Sequence, residues 1–132
     1  MILKLLALAS QSPWFPAPTR MEIPWYTSFN VVSSLFPKDD FRYMSPLQRL
    51  DPATTIRKLE KQFTFRIEHN PSVMLPTEAH LVIIHGKNKF YDDLWLRFED
   101  DVTHFVSASR VGMYDGGVNR NRMTKIKEIL HK

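Results

Sequence analysis

The stretch Ser107-Ala108-Ser109-Arg110-Val111-Gly112-Met113-Tyr114-Asp115-Gly116-Gly117-Val118-Asn119-Arg120-Asn121-Arg122 holds the densest grouping of side chains that could do chemistry. Two small hydroxyl residues precede an arginine. A glycine-bearing loop with one aspartate follows, and a helical pattern then begins with two arginines in its first turn. Helix N-termini carry unpaired N–H groups and partial positive charge, so they attract anions. Arginines there oppose the helix dipole and call for a compensating bound anion or a carboxylate such as Asp115. The structural alternative is that Arg110 pairs with Asp115, Asp92 or Asp93, that Asn119 caps the helix, and that the glycines only make the turn. No Gly-Lys-Ser/Thr follows, so the loop is not a phosphate-binding Walker loop, nor is it a dinucleotide fingerprint.

Asp92-Asp93 is a second candidate. Adjacent strand residues point to opposite faces, so the two carboxylates cannot act as one dyad. One is expected to pair with an arginine and the other to be solvated; a hydrolase would use either as general acid or base. Histidines at 69, 80, 85, 104 and 131 form neither His-x-x-x-His nor a histidine–carboxylate box, so no metal site is assigned. Ser107 and Ser109 lack a nucleophile elbow, and His104 faces away from Ser107 along one strand, so no Ser–His–Asp triad is built. The absence of cysteine excludes thiol catalysis, disulfides, zinc ribbons and iron–sulfur sites. No catalytic residue and no cofactor is assigned.

The elements that must position these residues follow from the pattern. A chain of 132 residues with 43% apolar and 24% charged side chains has the size and balance of one globular domain. Seven of the nine prolines fall in the first 52 residues and none follows Pro76, so regular structure should concentrate after about residue 50. Asp51-Pro52 is an N-cap followed by the favoured first helical residue, and Ile56, Leu59 and Phe63 recur at helical spacing, predicting a helix over about 52–62. Period two then takes over. Strands are expected at about 63–68, 80–85, 91–98 and 102–109, joined by Asn70-Pro71, Gly86-Lys87-Asn88 and Glu99-Asp100-Asp101. Asn119 reads as the N-cap of a last helix to about 130, with Val118 and Met123 as a hydrophobic staple and Met123, Ile126 and Leu130 as its apolar stripe.

Residues 1–28 read as an irregular proline-rich arm or a vestigial leader. Lys4, an apolar stretch and Ala7-x-Ala9 imitate an export signal, but the apolar core is shorter than such signals need. Trp14, Phe15, Trp25 and Tyr26 in this tract are expected to cover an apolar surface. The longest apolar runs are four or five residues, too short for a bilayer span; the compartment stays open. Residues 117–132 carry five cationic side chains against Glu128 alone, and so account for the chain's formal net charge of +4. Such a segment could meet nucleic acid or an acidic membrane surface, but small clusters of this kind are common on solvated helix faces. Nucleic acid is not an expected partner.

These residues resemble a known family. Phe105-Val106-Ser107-Ala108-Ser109-Arg110-Val111-Gly112, Asp115 and Gly117-Val118-Asn119-Arg120, followed by an amphipathic helix, are similar to the C-terminal signature of domain-of-unknown-function family 1499. Asn30-Val31-Val32-Ser33-Ser34, Ser45-Pro46-Leu47 with the Asp51 helix, and Phe90-Tyr91-Asp92-Asp93-Leu94 resemble its other blocks, so the likeness covers about residues 29–130. Val31 stands where the family motif usually has cysteine, and the segment Asn70–Thr77 is longer than usual. The resemblance implies a fold and a motif, not a reaction. Many members carry hydrophobic leaders or membrane segments, which points toward an envelope or plastid setting.

The expectation is therefore an α+β domain over 29–132, with a four-stranded antiparallel sheet and both helices on one face. Its expected role is binding a small anionic ligand through Ser107, Ser109, Arg110, Asp115, Asn119 and Arg120, with Asp92 and Asp93. A protein or membrane-surface partner for the aromatic arm is the alternative, and the oligomeric state stays open. A guanidinium cannot shed its proton, so Arg110 should be largely buried on a carboxylate or on loop carbonyls, and Arg110 and Arg120 should converge on the glycine loop.

Overall fold

The change of apolar period from 3.6 to 2 and back is realised, with additions, in a computed structural model of the chain. It describes Lys4, Leu5, Leu8, Ser10 and residues 30–69, 77–110 and 117–131. The elements in chain order are β1 (Val31–Ser33), β2 (Leu47–Gln48), α1 (Pro52–Glu60), β3 (Thr64–His69), β4 (Thr77–His85), β5 (Phe90–Phe98), β6 (Val102–Ser109) and α2 (Val118–His131). All strand pairings are antiparallel, in the order β1-β6-β5-β4-β3, with β2 also on β6.

Among the described residues the sheet has six strands, not the expected four. The two additions lie end to end along β6: Val31 faces Ala108 and Leu47 faces Thr103. At three and two residues they are too short to show an alternation, and they sit in the proline-rich half. They cover the edge that β6 would otherwise expose to stray pairing.

Local chemistry sets the element ends. Asp51 caps α1, its carboxylate accepting from the Thr54 backbone N–H at 3.0 Å and from the Thr54 hydroxyl at 2.6 Å, with Pro52 opening the helix. Those bonds hold the Asp51 carboxyl below its ordinary value. Lys89 N–H donates to the Gly86 carbonyl at 3.1 Å, closing the β4–β5 turn. Gly86 takes φ +77 there, a conformation free of cost only for glycine. This turn fixes a register in which His80 faces Trp95 and His85 faces Phe90.

Both helices pack on one sheet face. Ile56 and Leu59 of α1 and Met123, Ile126 and Leu130 of α2 share a core with Leu81, Ile83, Leu94, Leu96 and Phe105. The opposite face is not solvated throughout: Val31, Phe36, Trp95, Val106 and Ala108 form a second cluster against Leu35 and Tyr43 of the loop after β1. Residues 92–96 of β5 are accordingly buried without alternation, as a strand covered on both faces must be. The expected irregular arm falls mostly outside the described residues, as do Trp14, Phe15, Trp25, Tyr26 and the long connection after β3. Lys4, Leu5, Leu8 and Ser10 are helical rather than irregular, with Leu5 and Leu8 exposed and Ser10 buried. Among the described residues no helix is long and apolar enough to cross a membrane.

Phe105 is fully buried at the centre of the larger core. Phe105→Ala should cost about 3–5 kcal/mol, read as a lower urea midpoint at unchanged slope; a loss within error of zero would remove Phe105 from the load of that core.

Candidate functional site: two histidine–aspartate–arginine clusters and a groove

The pleat sends Asp92 and Asp93 to opposite faces of β5, and the β4–β5 register does the rest. Each aspartate is the diagonal neighbour of a β4 histidine, Asp93 of His80 and Asp92 of His85, a spacing at which polar side chains can meet. An arginine completes each group, so two His–Asp–Arg clusters lie back to back across one strand.

On the face away from the helices, Arg110 holds Asp93 with two bonds, Nε to Oδ2 at 2.9 Å and Nη2 to Oδ1 at 3.0 Å. His80 Nε2 lies 2.8 Å from Asp93 Oδ1. An ionised carboxylate only accepts, so Nε2 carries the hydrogen. The His80 ring stacks on Trp95 with centroids 4.2 Å apart, and Arg110 Nη1 also donates to the Ser10 carbonyl. Burial acts to raise the Asp93 carboxyl, but the hydrogen bonds and charges of His80 and Arg110 outweigh it and hold the group below its ordinary value. His80, Asp93 and Arg110 are all buried, so this cluster is sealed.

On the helix face, Arg122 Nη2 donates to Asp92 Oδ2 at 2.7 Å, and both side chains are almost wholly buried. His85 Nε2 lies 2.6 Å from the same oxygen, a charge-contact distance, although its ring is not aligned for a hydrogen bond. Asn119 locks the cluster to the sheet. Its Oδ1 accepts from the Ser107 hydroxyl and from Arg122 Nη1, and its Nδ2 donates to the Asn30 carbonyl and the Ser109 hydroxyl. That fills all four hydrogen-bonding sites of the amide. His85 is 30% exposed in its side chain and lines a groove of about 450 Å³ with Gln62, Phe63, Thr64, Ile83, Ile84, Val118, Asn121, Arg122 and Lys125.

Several expectations need correction. Asp92 and Asp93 are both paired, and neither is solvated. Arg110 and Arg120 do not converge: Arg110 lies across the sheet from α2, whereas Arg120 is exposed on α2 and donates to the Phe41 carbonyl. Asn119 is not the N-cap, because its amide is drawn inward to Ser107 and Ser109. Gly117 stands at the helix start instead, its carbonyl accepting from Asn121 N–H at 2.9 Å. Val118 is exposed and is the first residue of α2, so it does not stand before the cap as a staple residue would. Of the expected site, Ser107, Ser109, Asn119 and Asp92 come together on the helix face, Arg110 and Asp93 on the other, and Asp115 lies outside the described residues.

The signature strand, the paired aspartates and the α2 arginine thus interlock through the region that the family resemblance spans, and a family comparison decides the assignment. Residues 24–130 match the family described as Protein of unknown function (DUF1499). The chain belongs to this family. Comparison with curated proteins and with solved structures gives no match. The DUF1499 match contains both clusters and the whole groove lining, and of the hydrogen-bond partners of the clusters leaves Ser10 outside it. At Val31, where the family motif usually has cysteine, this DUF1499 chain packs an apolar side chain against Trp95 and Val106.

His80, His85, Arg122, Asn30 and Lys125 were not among the expected site residues. The signal for the histidines was present in the turn: a hairpin closed at Gly86–Lys89 puts both beside aspartates.

The lowered Asp93 carboxyl makes an acid-stability prediction. A carboxyl depressed in the folded state contributes its stabilisation in full above the unfolded value of about 4, and loses it as pH falls through the folded value. Wild-type stability should therefore fall steadily below about pH 4. Asp93→Asn should be less stable at neutral pH and show a shallower acid limb; equal acid limbs in denaturation midpoints would contradict the assignment.

Proposed function

We propose that this DUF1499 chain is a small-ligand-binding module that takes an anion in the groove beside His85. The observation that carries the reading is the asymmetry of the two clusters: the His80 cluster is sealed, whereas the His85 cluster opens on a groove. Two cations and no carboxylate line that groove. Arg122 is engaged by Asp92, Asn119 and Ser107. Lys125 has no carboxylate partner among the described residues and is exposed on α2. The amides of Asn121 and Gln62 and the Thr64 hydroxyl add neutral hydrogen-bonding groups.

The expected anion-binding role keeps its chemistry in this reading, and its residues change. Arg110, Asn119, Ser107 and Ser109 act as the frame, and His85, Lys125 and Asn121 as the contact surface. A paired-carboxylate hydrolase gains no support, since Asp92 and Asp93 face opposite sides of the sheet.

Titration calorimetry with inorganic phosphate tests the reading. Lys125→Ala should weaken binding about tenfold, the scale of one charge-assisted hydrogen bond, whereas Arg120→Ala should leave it unchanged. Binding insensitive to Lys125 would overturn the groove as the site.

A further inference from the structure

The groove is larger and more apolar than an inorganic anion requires. Its volume of about 450 Å³ falls in the range of pockets for small organic molecules. Phe63, Ile84 and Val118 supply apolar wall beside the polar and charged groups of the lining, a mixture in which hydrogen bonds can orient a ligand's apolar body. Charge and ring are adjacent: Lys125 Nζ lies 5.8 Å from the centroid of the Phe63 ring. Phe63 itself is only half-buried against the core, so part of its ring remains accessible.

His85 adds direction. Its Nε2 is turned to Asp92, and its ring leans on Phe90 at 5.8 Å between centroids. With Nε2 on Asp92, Nδ1 meets an anionic head when both ring nitrogens carry hydrogen. Lys125 and His85 thus offer groups for an anionic head, and Phe63 with Val118 offers a surface for an apolar body. A bare phosphate or sulfate would leave those walls against water.

We propose that the ligand is an organic anion with a flat apolar body, an aryl carboxylate or aryl phosphate ester in chemical class, with its head at Lys125 and His85 and its body on Phe63 and Val118. This rests on the groove being an anion site. Covering about 55 Å² of ligand ring at 25 cal/mol per Å² corresponds to about tenfold in affinity.

The experiment compares phenyl phosphate with inorganic phosphate, and benzoate with acetate, by calorimetry and by amide chemical shifts on the intact chain. The aryl member of each pair should bind about tenfold more tightly. Phe63→Leu should remove most of that preference, so that the two members of each pair bind alike. Val118→Ser, at an exposed position, should reduce the preference two- to threefold and serves if the Phe63 variant fails to fold. Lys125→Ala should weaken aryl and inorganic phosphate alike. Equal affinity within each pair overturns the organic-anion assignment and leaves the anion site standing. Binding by neither member of either pair overturns both.

Discussion

Two adjacent carboxylates in the middle of a buried strand constrain everything around them. Neither Asp92 nor Asp93 has access to water, and an unpaired buried carboxylate is too costly to keep ionised. The pleat of β5 sends them apart, so one cation cannot serve both. The fold answers with Arg122 from α2 on one face and Arg110 from the end of β6 on the other. A buried pair of this kind adds little over well-packed apolar side chains, but breaking one side of it is expensive. Its effect is on arrangement: α2 can seat itself only where Arg122 reaches Asp92, and the chain after β6 only where Arg110 reaches Asp93.

Asn119 extends the constraint from pairs to a network. By using its whole amide on Ser107, Ser109, Asn30 and Arg122, it ties the first turn of α2 to β6 and to the residue before β1. The two blocks of the family resemblance that contain these residues, around Asn30 and from Phe105 into α2, are far apart in sequence and meet at this one place. An amide with all four sites filled holds its neighbours in place, and a fixed base is what a binding groove needs. The two clusters are alike in composition and unlike in access, and the functional reading grows from that difference.

Much of this was legible in the residues. Asp51-Pro52 marked α1, the apolar periods marked β3 to β6 and α2, and the pleat alone separated Asp92 from Asp93. The demand that a buried guanidinium be partnered pointed Arg110 to a carboxylate, and Asp93 is that carboxylate. What escaped had physical reasons. Val31–Ser33 and Leu47–Gln48 are strands by virtue of the edge they pair with, not of any pattern of their own. Asn119 has the residue type of a cap, but tertiary partners claimed its side chain. Arg122 and Arg120 are two residues apart on a helix, hence on different sides, and only the packing of α2 decides which turns inward. The histidine partners depend on hairpin register, which a spacing search along the chain does not see.

The most direct test is a double-mutant cycle on Asp92 and Arg122, using Asp92→Asn, Arg122→Met and the double variant in urea denaturation. Each single change should cost about 3–5 kcal/mol, and the double variant should recover part of the loss, with a coupling of about 2–3 kcal/mol. Single variants as stable as wild type, or costs that simply add, would contradict a fold arranged around its two buried carboxylates.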